Sequence, residues 1–234
     1  MGYAYSDIAK MIDHSLLQPL GEGTFRIHDL LRQYAQEQLA SRPEEECAVR
    51  TRHCAVFLEE LAAQGLRLKG PEAFEALREI DRQYADMAVA WGWAVERGAF
   101  DLLGEGAWAL GRYVMLRDRH AEGIALCEKG LERLGRALRT PETLRLALQL
   151  ADTLANCLIR ENALGRCRQA LDRAEALLRD HPELEAGVRR EAAFLLMTRG
   201  RLCTASGGSR LETVRRAKAE GLPVSADVAV HHLH

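Results

Sequence analysis

Between position 41 and about position 205 the apolar residues recur every three or four places, the period of a helix that buries one side. In the first such stretch Val49, Cys54, Phe57, Leu58 and Leu61 share a side, and the pattern runs to about Gln64. Ser41 with Glu44 predicts a capping box at its start, and Pro43 sits in the first turn, where its missing N–H costs nothing. Gly65 to Gly70 breaks the pattern. Pro71 opens a second long helix whose inward side is Phe74, Leu77, Ile80, Tyr84, Met87, Trp91 and Ala94, and Gly98 stops it.

Beyond Gly98 the helices come in pairs. The spacing predicts one pair over 101–117 and 119–136, a second over 142–160 and 162–180, and a third starting near 185. The pairs begin about 40 residues apart, inside the range at which helical hairpins stack into a solenoid. In the second pair Ala147, Leu150, Ala151, Leu154, Ala163, Cys167 and Ala170 mix small and large side chains, which lets antiparallel helices approach and bury a shared seam. Gly135, Pro141 and Pro182 stand at the breaks.

The two ends depart from this pattern. Ile8, Met11 and Ile12 recur at helical spacing, and the apolar run Ser15 to Leu20 then meets the turn residues Gly21-Glu22-Gly23 and a second short run, Thr24 to Ile27. Two short runs around a glycine-containing turn predict a β-hairpin. Leu30, Leu31, Tyr34, Ala35 and Leu39 then mark one side of a helix. Helix, hairpin, helix is the end of a winged-helix unit with its wing. At the other end Gly207-Gly208-Ser209 forms a junction, Leu211 to Glu220 predicts a helix, and Leu222 to Val230 alternates like a strand before His231-His232-Leu233-His234.

Charge narrows the possible functions. A net charge of −2 with interspersed charges lacks the basic excess of a dedicated nucleic-acid binder. The six cysteines show no CxxC pairing and fall mostly at apolar helical positions, as small buried residues of a reducing compartment do. No apolar run approaches the ~18 residues of a membrane helix, and the start lacks the pattern of a signal peptide, so the expected location is cytoplasmic. Trp91 and Trp108 fall on apolar faces as core residues, with Trp93 partly exposed. Arg160, Arg166, Arg168 and Arg173 are expected to pair with acidic residues on their own helices. Glu44, Glu45, Glu46, Glu59 and Glu60 have no histidine partner at catalytic spacing, and no nucleophile elbow or zinc-finger spacing occurs.

The segment from Ser15-Leu16-Leu17 through Phe25-Arg26-Ile27-His28-Asp29-Leu30-Leu31-Arg32-Gln33-Tyr34-Ala35 resembles the end of the winged-helix domain of bacterial STAND-type ATPase regulators. These are relatives of the nucleotide-binding (NB-ARC-like) switch of apoptotic and plant immune proteins. The family carries Met-His-Asp at the start of this helix, and Ile27-His28-Asp29 stands here with one apolar swap. Glu79-Ile80-Asp81 ahead of Trp91 is similar to a further family segment, which leads into tetratricopeptide repeats, so the resemblance spans residues 10–205. It implies that His28 faces the β-phosphate of bound ADP and helps lock an off state, while Asp29 caps the helix. The sequence has no Gly-Lys dipeptide, hence no P-loop lysine. ADP or ATP therefore belongs to an upstream nucleotide-binding domain of a parent protein, and this chain holds no cofactor of its own.

Val214 to His234, with Arg201 to Ala205 before it, resembles an internal helix-to-strand step of the (β/α)8 barrel of dihydroorotase-like amidohydrolases. That family's early metal pair and catalytic aspartate have no counterpart, so no metal site is expected, and a joined fragment accounts for the tail better than a second enzyme does.

The resulting expectation is an all-α chain, a partial winged helix with a β-hairpin wing followed by a tetratricopeptide-like helical-hairpin array. Its parts are the winged-helix end at 1–40, a linking helical pair at 41–98, the repeats at 99–206 and the dihydroorotase-like tail at 207–234. The expected function is that of a non-enzymatic regulatory and interaction module, with a protein or peptide on the array and no membrane contact. Direct DNA contact is not expected, since a recognition helix would precede the wing and only a stub remains between Tyr3 and Asp13. The alternatives are a fragment of a dihydroorotase-like amidohydrolase and a DNA-binding winged-helix regulator.

Overall fold

Proline lacks the N–H that a sheet interior needs and glycine accepts a positive φ, so Pro19 and Gly21 fit the short, two-stranded edge structure in which they occur. Strand β1 (Leu17–Gly21) pairs antiparallel with β2 (Thr24–Ile27), Leu17 opposite Ile27 and Pro19 opposite Phe25, with an irregularity between Pro19 and Gly21. Gly21 itself has φ +95°. In the computed structural model, residues 5–21, 24–135, 137, 138, 140–207, 215 and 219 are described. Of the expected tail helix only Arg215 and Ala219 are among them, both helical, and the expected tail strand and histidine cluster lie outside them. Among the described residues the chain is nearly all helical, with nine α-helices and this one hairpin.

The chain divides into two compact units, Met1–Arg52 and His53–His234. The first holds α1 (Tyr5–Asp13), the hairpin, α2 (Asp29–Ala40) and the start of α3 (Pro43–Arg67). The face of α2 read as inward is not covered: the helix has no buried residue, and Leu30 and Tyr34 are 70% and 60% exposed. Periodicity tells which side of a helix is apolar, but not whether anything packs on it. Val49 is exposed for the same reason. The capping box expected at Ser41 does not form. Ser41 closes α2 instead, its hydroxyl donating to the Gln38 carbonyl at 2.7 Å.

The second unit holds the rest of α3, then α4 (Ala73–Arg97), α5 (Phe100–Leu116), α6 (His120–Leu134), α7 (Pro141–Arg160), α8 (Leu164–Asp180), a 3₁₀ turn at Pro182–Gly187, and α9 (Arg189–Ala205). Helix α3 continues through Gly65 instead of breaking there, because Gly65 lies against Ala109 of α5. Helix α4 ends at Gly98, where φ +72° is a left-handed cap that a residue with a Cβ adopts only under strain. Its inward residues Leu77, Ile80, Tyr84, Met87, Trp91 and Ala94 are buried as expected, but Phe74 is 78% exposed.

Helix α7 is the most enclosed element because it packs against α5, α6, α8 and α9. That explains why Leu144, Leu146, Leu148, Leu150, Leu154 and Leu158 are buried although they occupy more than one side of it. Its start carries a capping box that the sequence does not signal. Thr140 Oγ1 accepts from the Thr143 N–H, the Thr143 hydroxyl accepts from the Thr140 N–H, and Pro141 fills the first position. A threonine in place of the usual acidic partner hid it. On one side α7 meets α5 through small residues, so closely that a Cβ on Gly111 would overlap Thr153 Oγ1.

Candidate functional site

The two residues singled out by sequence both lie at the start of α2. His28 is the N-cap, in extended backbone, and its Nδ1 accepts from the Leu30 N–H at 3.3 Å. Asp29, expected to cap, lies inside the first turn and pairs with Arg32 at 2.9 Å. Capping at Nδ1 fixes the proton on Nε2, so the exposed ring presents an N–H donor beside the positive end of the helix dipole. No other candidate residue joins these two.

A polar seam that no sequence motif marks runs between α7 and α9. Arg145, Gln149, Asp152 and Asn156 recur on one side of α7 at helical spacing. Arg145 donates to the Gly187 carbonyl and lies 3.9 Å from the buried Glu191, which Gln149 also reaches. One turn on, the Thr198 hydroxyl donates to Asp152 Oδ1 at 2.5 Å, and Asn156 Nδ2 donates to Thr198 Oγ1 at 3.1 Å. Arg201 Nη1 then donates to Asn156 Oδ1 at 2.8 Å. Asp152, Thr198, Arg201, Phe194 and Met197 line a cavity of about 340 Å³. Burial holds the Asp152 carboxyl above its usual range, against the lowering effects of the Thr198 hydrogen bond, the Arg201 charge and Asn156. In sequence, these polar positions cannot be told from a solvated helix face.

Other polar clusters brace the fold. Arg199, between α8 and α9, donates to Glu175 at 2.8 Å and to Asp172 at 2.6 Å, and both Arg199 and Glu175 are buried. Asp81 on α4 takes a two-pronged contact from Arg117 and a 2.9 Å hydrogen bond from the Tyr113 hydroxyl, which burial and then Asp81 push up to about 12. Arg166 pairs with Glu128 of α6 rather than within its own helix. Trp91 is fully buried, while the partly buried Trp108 and Trp93 lie under Lys69 and Arg97. All six cysteines are free; burial pushes the Cys157 and Cys167 thiols up to about 11, which keeps them protonated and poor nucleophiles. No group of metal-ligating side chains occurs among the described residues, and no described helix is long and apolar enough to cross a membrane. No family profile matches the chain, and no curated protein or solved structure does either.

Proposed function

We propose that this chain is a non-catalytic regulatory and protein-interaction module of a STAND-type signalling ATPase or transcriptional regulator. The hairpin and α2 act as the end of a winged helix that docks on a nucleotide-binding domain. The paired helices α5 to α9 act as a tetratricopeptide-like array whose surface senses a ligand or partner. The observation that carries the reading is the geometry of His28. Its Nδ1 is occupied by the Leu30 N–H, which leaves Nε2–H free to donate to a phosphate oxygen at a helix start. The uncovered apolar residues Leu20, Phe25, Leu30 and Tyr34 supply the surface that such docking needs.

The test is ADP release from the chain joined to its nucleotide-binding domain. Losing a charge-assisted hydrogen bond costs about 1.5–3 kcal/mol, so His28→Ala is expected to speed ADP release roughly ten- to a hundredfold. Alanine also removes the helix cap. His28→Asn keeps a capping side chain but lacks the ring donor, and it is expected to release ADP as fast as the alanine variant does. An unchanged rate in His28→Asn would leave His28 as a cap only.

A further inference from the structure

Helices α7 and α9 run side by side in parallel register: Asp152 meets Thr198, and four residues later on α7 Asn156 meets Arg201, three residues later on α9. The negative and positive ends of the cavity are thus displaced by about one helical turn, roughly 5 Å. Phe194 lies one turn to the other side of Thr198, with Met197 beside it, so the apolar wall, the carboxylate and the guanidinium follow one another along the groove. Asp152 is held by Thr198 and Arg201 by Asn156, rather than by each other.

We propose that this cavity binds a free α-amino acid with an apolar side chain, its ammonium on Asp152, its carboxylate on Arg201 and its side chain against Phe194 and Met197. An ionised carboxylate can accept several hydrogen bonds, and those from Thr198 and Asn156 leave Asp152 with capacity for an ammonium. Guanidinium is the side-chain group best shaped to grip a carboxylate. The two opposite charges discriminate against the simpler alternatives: a lone cation meets Arg201, a lone anion meets Asp152, and an internal peptide segment offers neither adjacent charge. The volume, about 340 Å³, lies at the small-ligand end of binding cavities. A ligand ammonium favours the charged form of the desolvated Asp152 carboxyl, adding to what Thr198, Arg201 and Asn156 already contribute.

The proposal rests on reading the array as a ligand-sensing surface, but binding is measured on this chain alone and ADP release on the joined protein, so either can fail without the other. Isothermal titration calorimetry of the full chain with L-leucine, L-methionine and L-phenylalanine is expected to give saturable one-to-one binding by at least one. L-leucinamide lacks the carboxylate and N-acetyl-L-leucine the ammonium, and each is expected to bind at least about tenfold more weakly than leucine. Asp152→Asn and Arg201→Gln should lose affinity to the same extent while melting as cooperatively as the parent. Should either variant fold poorly, the analogue series on the unaltered chain decides the matter. The proposal is overturned if none of the three amino acids binds at millimolar concentration, or if the amide and acetyl analogues bind as well as leucine. Binding of N-acetyl-L-lysinamide in place of the amino acids would also overturn it, in favour of a cationic peptide side chain.

Discussion

Trp91→Ala is expected to destabilise the second unit by about 3–5 kcal/mol, the range for deleting a large aromatic side chain from a packed core. A whole domain is typically stable by only about 5–15 kcal/mol, so the variant should be partly unfolded at modest urea concentration. Trp91 is 1% exposed, in the C-terminal half of α4. Its Nε1–H has no hydrogen-bond partner among the described residues, so the loss is one of packing rather than of a polar contact. Trp91→Phe is therefore expected to be milder, because removing an unsatisfied donor offsets part of the lost volume. Urea melts of both variants followed by far-ultraviolet circular dichroism check this; equal losses in the two would assign Trp91 a polar role that its surroundings do not supply.

Arg199→Met should have a loss of similar size, about 3–5 kcal/mol, through a different cause. Methionine fills much of the arginine's volume but leaves Glu175 buried without its cation, along with a half-exposed Asp172. The cost comes from the stranded carboxylate, not from a cavity. Arg199→Lys keeps the charge but cannot bridge both carboxylates with a rigid fork, so it is expected to fall between the methionine variant and the parent. Thermal melts rank the three, and a methionine variant as stable as the parent would mean that this ion cluster contributes nothing to holding α8 against α9.

The residues that formed helices were legible because a single physical rule, burial of one apolar side, repeats from α3 to α9. That rule located Leu77, Ile80, Met87 and Trp91 as core without any contact information. It failed at Leu30, Tyr34, Val49 and Phe74, which have the right spacing but no cover within their unit. The turn at Gly21 and the stop at Gly98 could be read because each needs a positive φ. The cap at Thr140 was missed because threonine replaced the expected acid, and Ser41 was misread because its hydroxyl turned back to the preceding helix.

Site residues were legible only where a local motif carried them. His28 and Asp29 are neighbours in sequence and lie at one helix start, so a short motif was enough to find them, though the cap is His28 rather than Asp29. The groove of Asp152, Asn156, Thr198 and Arg201 joins residues more than forty positions apart, and each looks in isolation like a solvated helical residue. Only the parallel register of α7 and α9 makes them a site.

If the hairpin and α2 form one half of a nucleotide-controlled interface, the exposed Leu30 and Tyr34 must become covered when the other half is present and loaded with ADP. Amide hydrogen exchange of α2 measures this most directly, because a helix with no buried residue and few tertiary contacts opens readily on its own. The expected result is fast exchange across residues 30–39 in the isolated chain and strong protection in the ADP-loaded protein that carries the nucleotide-binding domain, partly lost when ADP is removed. Exchange across α2 that is equally fast in the isolated chain and in the joined, ADP-loaded protein would contradict the account.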